Sequence, residues 1–353
     1  MGEERRPAEL RTAEPMTRAV IPTVWIGPAP QPMAQPPGVW VVAACFNEQA
    51  VITHFIERVL VVPGVERLVL IDDGSSDGTV DQIRAWQKRH EEEGRSAPVT
   101  LLELTRNFGK ESAMLAGLDY VRGHCPAAVL IDSDLQHPPE LIEAMVGQWR
   151  EGAEVVTAVR DDRDQESRLK VASASWFYRV FNKLVDSIQL KEGAGDFRLL
   201  DAPVIEALTR LRESSRFSKG LLPWTGYRSV ELPYQRVGRS AGSSSWSPLA
   251  LWSYALDGIF SFSVLPLKVW SVIGVVVSLL SLIYALVIVL DTLFTGVDAP
   301  GFATLIVAIL FLGGIQLIGI GVLGEYIGRI YVEAKGRPHY FIRAIYSDRD
   351  TKR

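Results

Sequence analysis

Two stretches near the C-terminal end, Val269 to Leu290 and Phe302 to Leu323, each run 22 residues without an ionised side chain. As a helix, each spans roughly 33 Å. That matches the hydrocarbon core of a bilayer, where a helix satisfies every backbone N–H and C=O within its own segment. The pattern predicts a transmembrane hairpin over 266–323, with spans at 269–290 and 302–323. The connection from Asp291 to Gly301 holds Asp291 and Asp298 but no Lys or Arg, whereas Lys268, Arg329, Lys335, Arg337 and Arg343 flank the spans. By the positive-inside tendency, the region before the hairpin and the 324–353 tail face the cytoplasm. Residues 241–265 include Trp246, Leu249, Trp252, Leu256, Ile259 and Phe260 with few charges. They predict a juxtamembrane helix lying at the interface, with a core helix as the alternative.

Upstream, short apolar runs alternate with amphipathic ones from Gly38 to about Arg150, which predicts a mostly parallel α/β sheet. The expected strands are Trp40 to Cys45, Leu68 to Ile71, Thr100 to Leu104, Ala127 to Ile131 and Val155 to Val159. Helices are expected over Gln49 to Val62, Thr79 to Glu92, Lys110 to Arg122 and Pro139 to Arg150, with Asp77 to Thr79 as an N-cap. The Gly-rich run from Gly193 to Phe197 is expected to cover the open side of the sheet. The first 37 residues hold eight prolines and no apolar period, so 1–37 reads as a disordered tail. Cys45 and Cys125 are the only cysteines, and neither a disulfide framework nor a zinc site fits them. A net charge of −4 and no helix-turn-helix or finger spacing argue against nucleic acid as a partner.

In a parallel sheet the ligand crevice lies at the carboxyl ends of the strands. Three of the expected strands run into polar, acidic segments there: Asn47 and Glu48 after the first, Asp72 and Asp73 after the second, and Asp132, Ser133 and Asp134 after the fourth. Asp132 and Asp134 can aim two carboxylates at one hard divalent cation bridging a diphosphate, with Gln136 as a further oxygen ligand. A solvated turn is the alternative for an isolated Asp-x-Asp. His137, before two prolines, either approaches that site or caps the next turn. The acids at 48, 72 and 73 suit ribose hydroxyls and a base imide, and no Gly-x-Gly-x-x-Gly loop follows the first strand, which argues against a dinucleotide dehydrogenase. Arg160, Arg163, Arg168 and Lys170 form a basic cluster, joined later by Arg236 and Arg239, and guanidinium forks suit phosphate oxygens. For Arg163, between acids, a solvated face is the alternative.

These residues resemble the family 2 inverting glycosyltransferases. Within them they resemble the polyisoprenyl-phosphate group, which includes dolichol-phosphate mannosyltransferases and bacterial undecaprenyl-phosphate glucosyltransferases. The resemblance covers about Val39 to Tyr340. It rests on Phe46-Asn47-Glu48, on Asp72 to Thr79, on Arg106-Asn107-Phe108-Gly109-Lys110, on Asp132 to Glu140, on Gly195 to Leu200, on Arg216-Phe217, and on Gly324 to Arg329 with Lys335-Gly336-Arg337-Pro338. It implies a GT-A catalytic domain over 38–240, with the nucleotide at Asn47, Glu48, Asp72, Asp73, Arg106, Lys110 and Asp132, and Mg or Mn at Asp132, Asp134 and Gln136. Acceptor phosphate would meet Arg160, Arg163, Arg168, Lys170, Ser175, Arg198, Arg236 and Arg239, with Arg168 and Lys170 beside Asp132 and Asp134 in the catalytic set. It also implies a homo-oligomer in a cell's inner membrane, with both termini cytoplasmic. Two departures stand out: Ala44 replaces the usual Pro, and Gly242 to Trp246 reads Gly-Ser-Ser-Ser-Trp where the family has Gly-Glu-Ser-Lys-aromatic.

The expected activity is inverting transfer of one sugar from a nucleotide donor, UDP-glucose first, to polyprenyl phosphate. GDP-mannose, UDP-GlcNAc and UDP-galactose are alternative donors. A lipid phosphate loses its second proton near pH 6 and arrives as a nucleophile, so no strong general base is needed. A processive polysaccharide synthase needs more spans and a Gln-x-x-Arg-Trp motif, which this sequence lacks. A non-catalytic membrane partner is the alternative from another class, motivated by the altered 242–246 segment.

Overall fold

Alternate residues of Val39–Cys45 (β1) enter two separate cores, which places this strand in the middle of a two-faced sheet. The structure is a computed structural model describing residues 38–95, 97–160, 194–214, 216–234, 263, 265–295 and 301–347. The expected tail at 1–37, almost all of the expected interfacial segment, and Arg163, Arg168, Lys170, Ser175, Arg236 and Arg239 lie outside the described residues. After β1 come α1 (Ile52–Leu60), β2 (Val65–Asp72), α2 (Thr79–Glu92), β3 (Val99–Leu104), α3 (Lys110–Val121), β4 (Ala127–Leu130), α4 (Leu141–Arg150), β5 (Val155–Arg160) and β6 (Ala194–Asp201). Then follow α5 (Ala202–Arg210), α6 (Ser218–Trp224), β7 (Ser229–Tyr234), α7 (Leu265–Thr295), α8 (Phe302–Ala334) and β8 (Ile342–Tyr346).

The sheet order is β7-β5-β6-β4-β1-β2-β3-β8. Its centre, β4-β1-β2-β3, is parallel, as the strand–helix alternation requires. One face is covered by α1, α2 and α4. Helix α1 puts Ile52, Phe55, Ile56 and Val59 inward at helical spacing, and burying a side chain such as Phe55 contributes about 1.5–3 kcal/mol. The other face takes α3, α5 and α6 through Ala113, Val121, Val204, Ile205 and Leu221. Both cysteines are free and buried, Cys45 under the first face and Cys125 under the second. Burial pushes the Cys125 thiol up to about 12, so it stays a neutral small hydrophobe.

Three strands depart from the expected pattern. The 193–197 run does not cover the sheet: from Ala194 the chain enters it as β6, antiparallel to both β4 and β5. Phe197, Leu199 and Leu200 are all buried there. β7 adds in parallel to β5. β8, from the segment beyond the second apolar run, pairs antiparallel with β3 and caps that edge.

Helices α7 and α8 outrun their apolar cores at 31 and 33 residues. Within them, Leu267–Tyr284 and Phe311–Ala334 are long and apolar enough to cross a membrane, and neither is buried in the protein. Trp270 of α7 lies so close to Gly319 of α8 that any side chain at 319 would collide with the indole. At the C-terminal end of α8, Ser214 N donates to Glu333 Oε2 at 2.9 Å, and beyond the helix the Tyr340 hydroxyl donates to Asp119 of α3 at 2.6 Å.

Candidate active site

Because β1 pairs in parallel with β2 and β4, the loops after these strands open on one edge. The β2 loop is built from backbone. Asp72 Oδ2 accepts N–H bonds from Gly74 at 3.1 Å and Ser75 at 3.0 Å. Asp73 Oδ1 and Oδ2 accept from Phe108 N at 2.7 Å and Gly109 N at 2.9 Å. Both carboxylates are buried, and burial raises both pKa values against the pull of those donors. Asp72 Oδ1 is buried with no hydrogen-bond partner among the described residues. Gly74, at φ +73°, lets this loop touch the next: a Cβ there would lie 2.5 Å from Arg106 C and 2.6 Å from Asn107 N.

Asn47 links β1 to this loop. Its Oδ1 accepts from Ser76 N at 2.9 Å, and its own N–H donates to Ser75 Oγ at 2.9 Å. Asp77 does not occupy the N-cap itself, which is Gly78. Instead its carboxylate accepts from Thr79 N at 3.0 Å and Gln49 N at 3.2 Å, which holds its pKa low. Glu48 stands beside these; burial first, then Asp134, Asp77 and Asp132, raise its carboxyl pKa.

The β4 loop is built from side chains. Lys110 Nζ lies 2.7 Å from Asp132 Oδ1 and 2.7 Å from Asp196 Oδ2. His137 Nε2 faces Asp132 Oδ2 at 3.7 Å, and its Nδ1 lies 2.8 Å from the Tyr234 hydroxyl. Although burial opposes its charge, His137 and Lys110 hold the Asp132 pKa well below the carboxylate range. Asp134 accepts the Gln136 backbone N–H at 3.0 Å and is also bonded by the Gln136 side-chain amide. Gln136 Oε1 is buried without a partner among the described residues. Asn47 and Leu135 are the non-glycine residues with left-handed backbone among those described, at φ +57° and +58°, one in each wall of this crevice.

This donor set fits a hard divalent cation. Asp134 and Gln136 offer oxygen, the Gln136 carbonyl lacks a partner, and Glu48 adds a carboxylate to a crowded anionic crevice. Among the described residues no three His, Cys, Asp or Glu side chains form a complete cage. Such a set would make only a partial shell, of the kind that phosphate oxygens complete.

Of the other expected residues, Arg106 lies over the Phe108 ring at 4.0 Å and donates to Asn107 O. Arg160 ends β5 opposite Tyr234. Arg198 is buried and donates through Nε to Gly195 O at 2.9 Å, so its guanidinium braces the β6 entry. Sequence reasoning did not place Asp196, Tyr234, Lys219 or Glu111 at the site. Asp196 shares Lys110 with Asp132, and Lys219 helps hold its pKa low. Glu111 is bonded by the Ser218 hydroxyl, and burial raises its pKa. The Asp in Gly195-Asp196-Phe197 is the legible signal, an acid just ahead of the apolar Phe197, Leu199 and Leu200.

Residues 40–209 match glycosyl transferase family 2, and residues 265–330 match the GtrB C-terminal hairpin. A prophage-derived bactoprenol glucosyl transferase of Shigella flexneri is 44% identical over 307 residues, covering 86% of this chain and 96% of the relative. A glycosyltransferase of Synechocystis sp. is 44% identical over 307 residues, covering 86% and 93%. Among solved structures, glucosyl-3-phosphoglycerate synthase from Mycobacterium tuberculosis superposes with a TM-score of 0.41 at 18% identity, over 64% of this chain and 80% of that one.

Proposed function

The chain belongs to glycosyl transferase family 2, and from that premise we propose that it transfers glucose from UDP-glucose to polyprenyl phosphate at a cytoplasmic membrane face. The observation that carries the reading is the acidic crevice at the ends of β1, β2 and β4 in a chain that also holds two membrane-length helices. Relatives named for glucosyl transfer to bactoprenol support the sugar and the lipid. Helices α7 and α8 would anchor the enzyme as a hairpin in the inner membrane, and assembly of several copies fits the family.

Asp72 Oδ1, buried and unpartnered, would accept a hydrogen bond from the nucleoside, which repays its desolvation only when the donor is present. Asp73 holds the Arg106–Lys110 loop against β2, so its contribution is to fix the wall of the nucleotide pocket. Asn47, bonded to Ser75 and Ser76, and the neighbouring Glu48 would extend that wall. Asp132, Asp134 and Gln136 would hold Mg or Mn, which when bound neutralises the diphosphate leaving group. Arg160 and Lys110, with Arg163, Arg168, Lys170, Ser175, Arg236 and Arg239 proposed from the sequence alone, would screen the acceptor phosphate and aim it at the anomeric carbon. The acceptor is already ionised at neutral pH, so one direct displacement inverts the anomeric centre without a base.

The test is incubation of detergent-purified protein with polyprenyl phosphate, Mg or Mn and a panel of labelled nucleotide sugars, scoring label in the organic phase. UDP-glucose should be preferred and chelator should stop the transfer. Preference for another donor would replace the sugar assignment; no product from any donor would favour a non-catalytic membrane partner.

A further inference from the structure

Lys110 stands where a cation would need to be. Its Nζ is 2.7 Å from Asp132 Oδ1, while His137 Nε2 stands 3.7 Å from Asp132 Oδ2. Asp134 meanwhile accepts from the Gln136 backbone N–H and side-chain amide, while Gln136 Oε1 has no partner among the described residues. An ammonium and a divalent cation both neutralise Asp132, and their like charges repel at one carboxylate, so they compete for it. The second Lys110 contact, to Asp196 Oδ2 at 2.7 Å, comes from a different element: β6 is fixed between β4 and β5 by two ladders. The carboxylates of Asp132 and Asp196 outweigh the desolvation of the ammonium and keep it charged.

We propose that Lys110 is an exchangeable counter-ion of the acidic crevice: the cation that arrives with the nucleotide displaces it from Asp132, and Asp196 is the positioning residue that retains it at the rim. The proposal rests on the reading of Asp132 as part of a cation site. It assigns Asp196 a role that its distance from the Asp132–Gln136 turn in sequence does not suggest. Released from Asp132 and held by Asp196, the ammonium keeps donor hydrogens free for a phosphate oxygen. Lys110 offsets part of the negative charge of the empty crevice and becomes a phosphate-binding cation when the crevice is loaded.

The experiment is Mn2+ titration of the full chain in detergent without nucleotide, read from the electron paramagnetic resonance signal of free Mn2+, with thermal unfolding of each variant as a folding check. Lys110→Met should bind Mn2+ about three- to tenfold more tightly, the scale of one charge-assisted contact removed from competition. Lys110→Arg should stay near the parent, and Lys110→Gln carries the same expectation as Met should the latter not fold. Asp196→Asn should bind about threefold more weakly, because the ammonium then falls wholly on Asp132, and most of that loss should vanish in the Lys110→Met background. Unchanged or weaker binding by both neutral Lys110 variants, or a full Asp196→Asn loss in the Lys110→Met background, overturns the proposal while Mn2+ binding by the parent leaves the cation site standing. No Mn2+ binding by the parent, with or without UDP, overturns both.

Discussion

The two acidic loops of the crevice are held in opposite ways. After β2, the carboxylates of Asp72 and Asp73 are bonded by four backbone N–H groups. After β4, those of Asp132 and Asp134 are met mainly by side chains: Lys110, His137 and Gln136. Backbone donors are fixed by the fold and cannot leave; an ammonium or an amide swings away by rotamer change. Under the proposed function, the first loop would be a preformed recognition surface with one oxygen left over, and the second a set of ligands held in reserve by partners that exchange. The division suits a donor whose nucleoside is bound rigidly while its diphosphate arrives with a cation.

The largest expected effect tests the exchangeable loop. Asp134→Asn keeps the shape of the side chain and its bond to Gln136 N, yet removes the charge; transfer should fall about a hundredfold to a thousandfold. Thermal unfolding should stay within a few degrees of the parent. Activity within tenfold of the parent would remove Asp134 from the reacting site.

The rigid loop breaks through its backbone instead. Gly74→Ala places a methyl against Arg106 and Asn107 main-chain atoms at a positive φ, and neither strand-end loop can yield without losing the Asp73 bonds. A loss of about 2–3 kcal/mol is expected, seen as a drop in unfolding temperature of about 5–10 °C. An unchanged transition would mean that the two loops are not locked together.

A smaller, two-signed effect belongs to Asp72. Burial raises its pKa in the folded chain, so its ionisation destabilises the fold. The penalty is absent below its unfolded pKa and grows as pH rises through the folded one. Asp72→Asn should therefore raise the unfolding temperature at neutral pH, with the gap closing on acidification towards pH 4. Nucleotide affinity, measured by calorimetry, should weaken about tenfold, the scale of one hydrogen bond to a charged acceptor. A variant that is both no more stable and equally tight would take Asp72 out of donor recognition.

The rigid half of this comparison was legible in the sequence and the exchangeable half only partly so. Apolar runs ending in Asp72-Asp73 and Asp132-Ser133-Asp134 announce buried parallel strands and a polar edge, and Thr79–Glu92 is a helix with the expected bounds because its amphipathic period starts right after a turn. Short local periods carry such elements. β6, β7 and β8 escaped notice since their partners lie far away in sequence: Ile342 to Tyr346 meets Leu101 to Leu104, a pairing no local window contains. The same cause hid Asp196 and Tyr234, whose roles come from contacts with Lys110 and His137 across the sheet. Arg198, expected at the acceptor phosphate, is buried and donates through Nε to Gly195 O, a contact that no local pattern announces.

The smallest expected effect tests how loosely the second loop is set. The Tyr234 hydroxyl lies 2.8 Å from His137 Nδ1, and the two rings pack with Phe197. The tautomer with Nε2–H directed at Asp132 leaves Nδ1 to accept from the Tyr234 hydroxyl, a group that can donate or accept. Tyr234→Phe keeps the ring and removes that hydroxyl. One net hydrogen bond is about 0.5–1.5 kcal/mol, and if Lys110 and the incoming cation dominate at Asp132, little of it reaches the reaction. kcat should fall about threefold or less, with KM for the donor unchanged. A fall beyond tenfold would show that the His137–Tyr234 pair fixes Asp132 as firmly as backbone fixes Asp73, and the contrast between the two loops would fail at that residue.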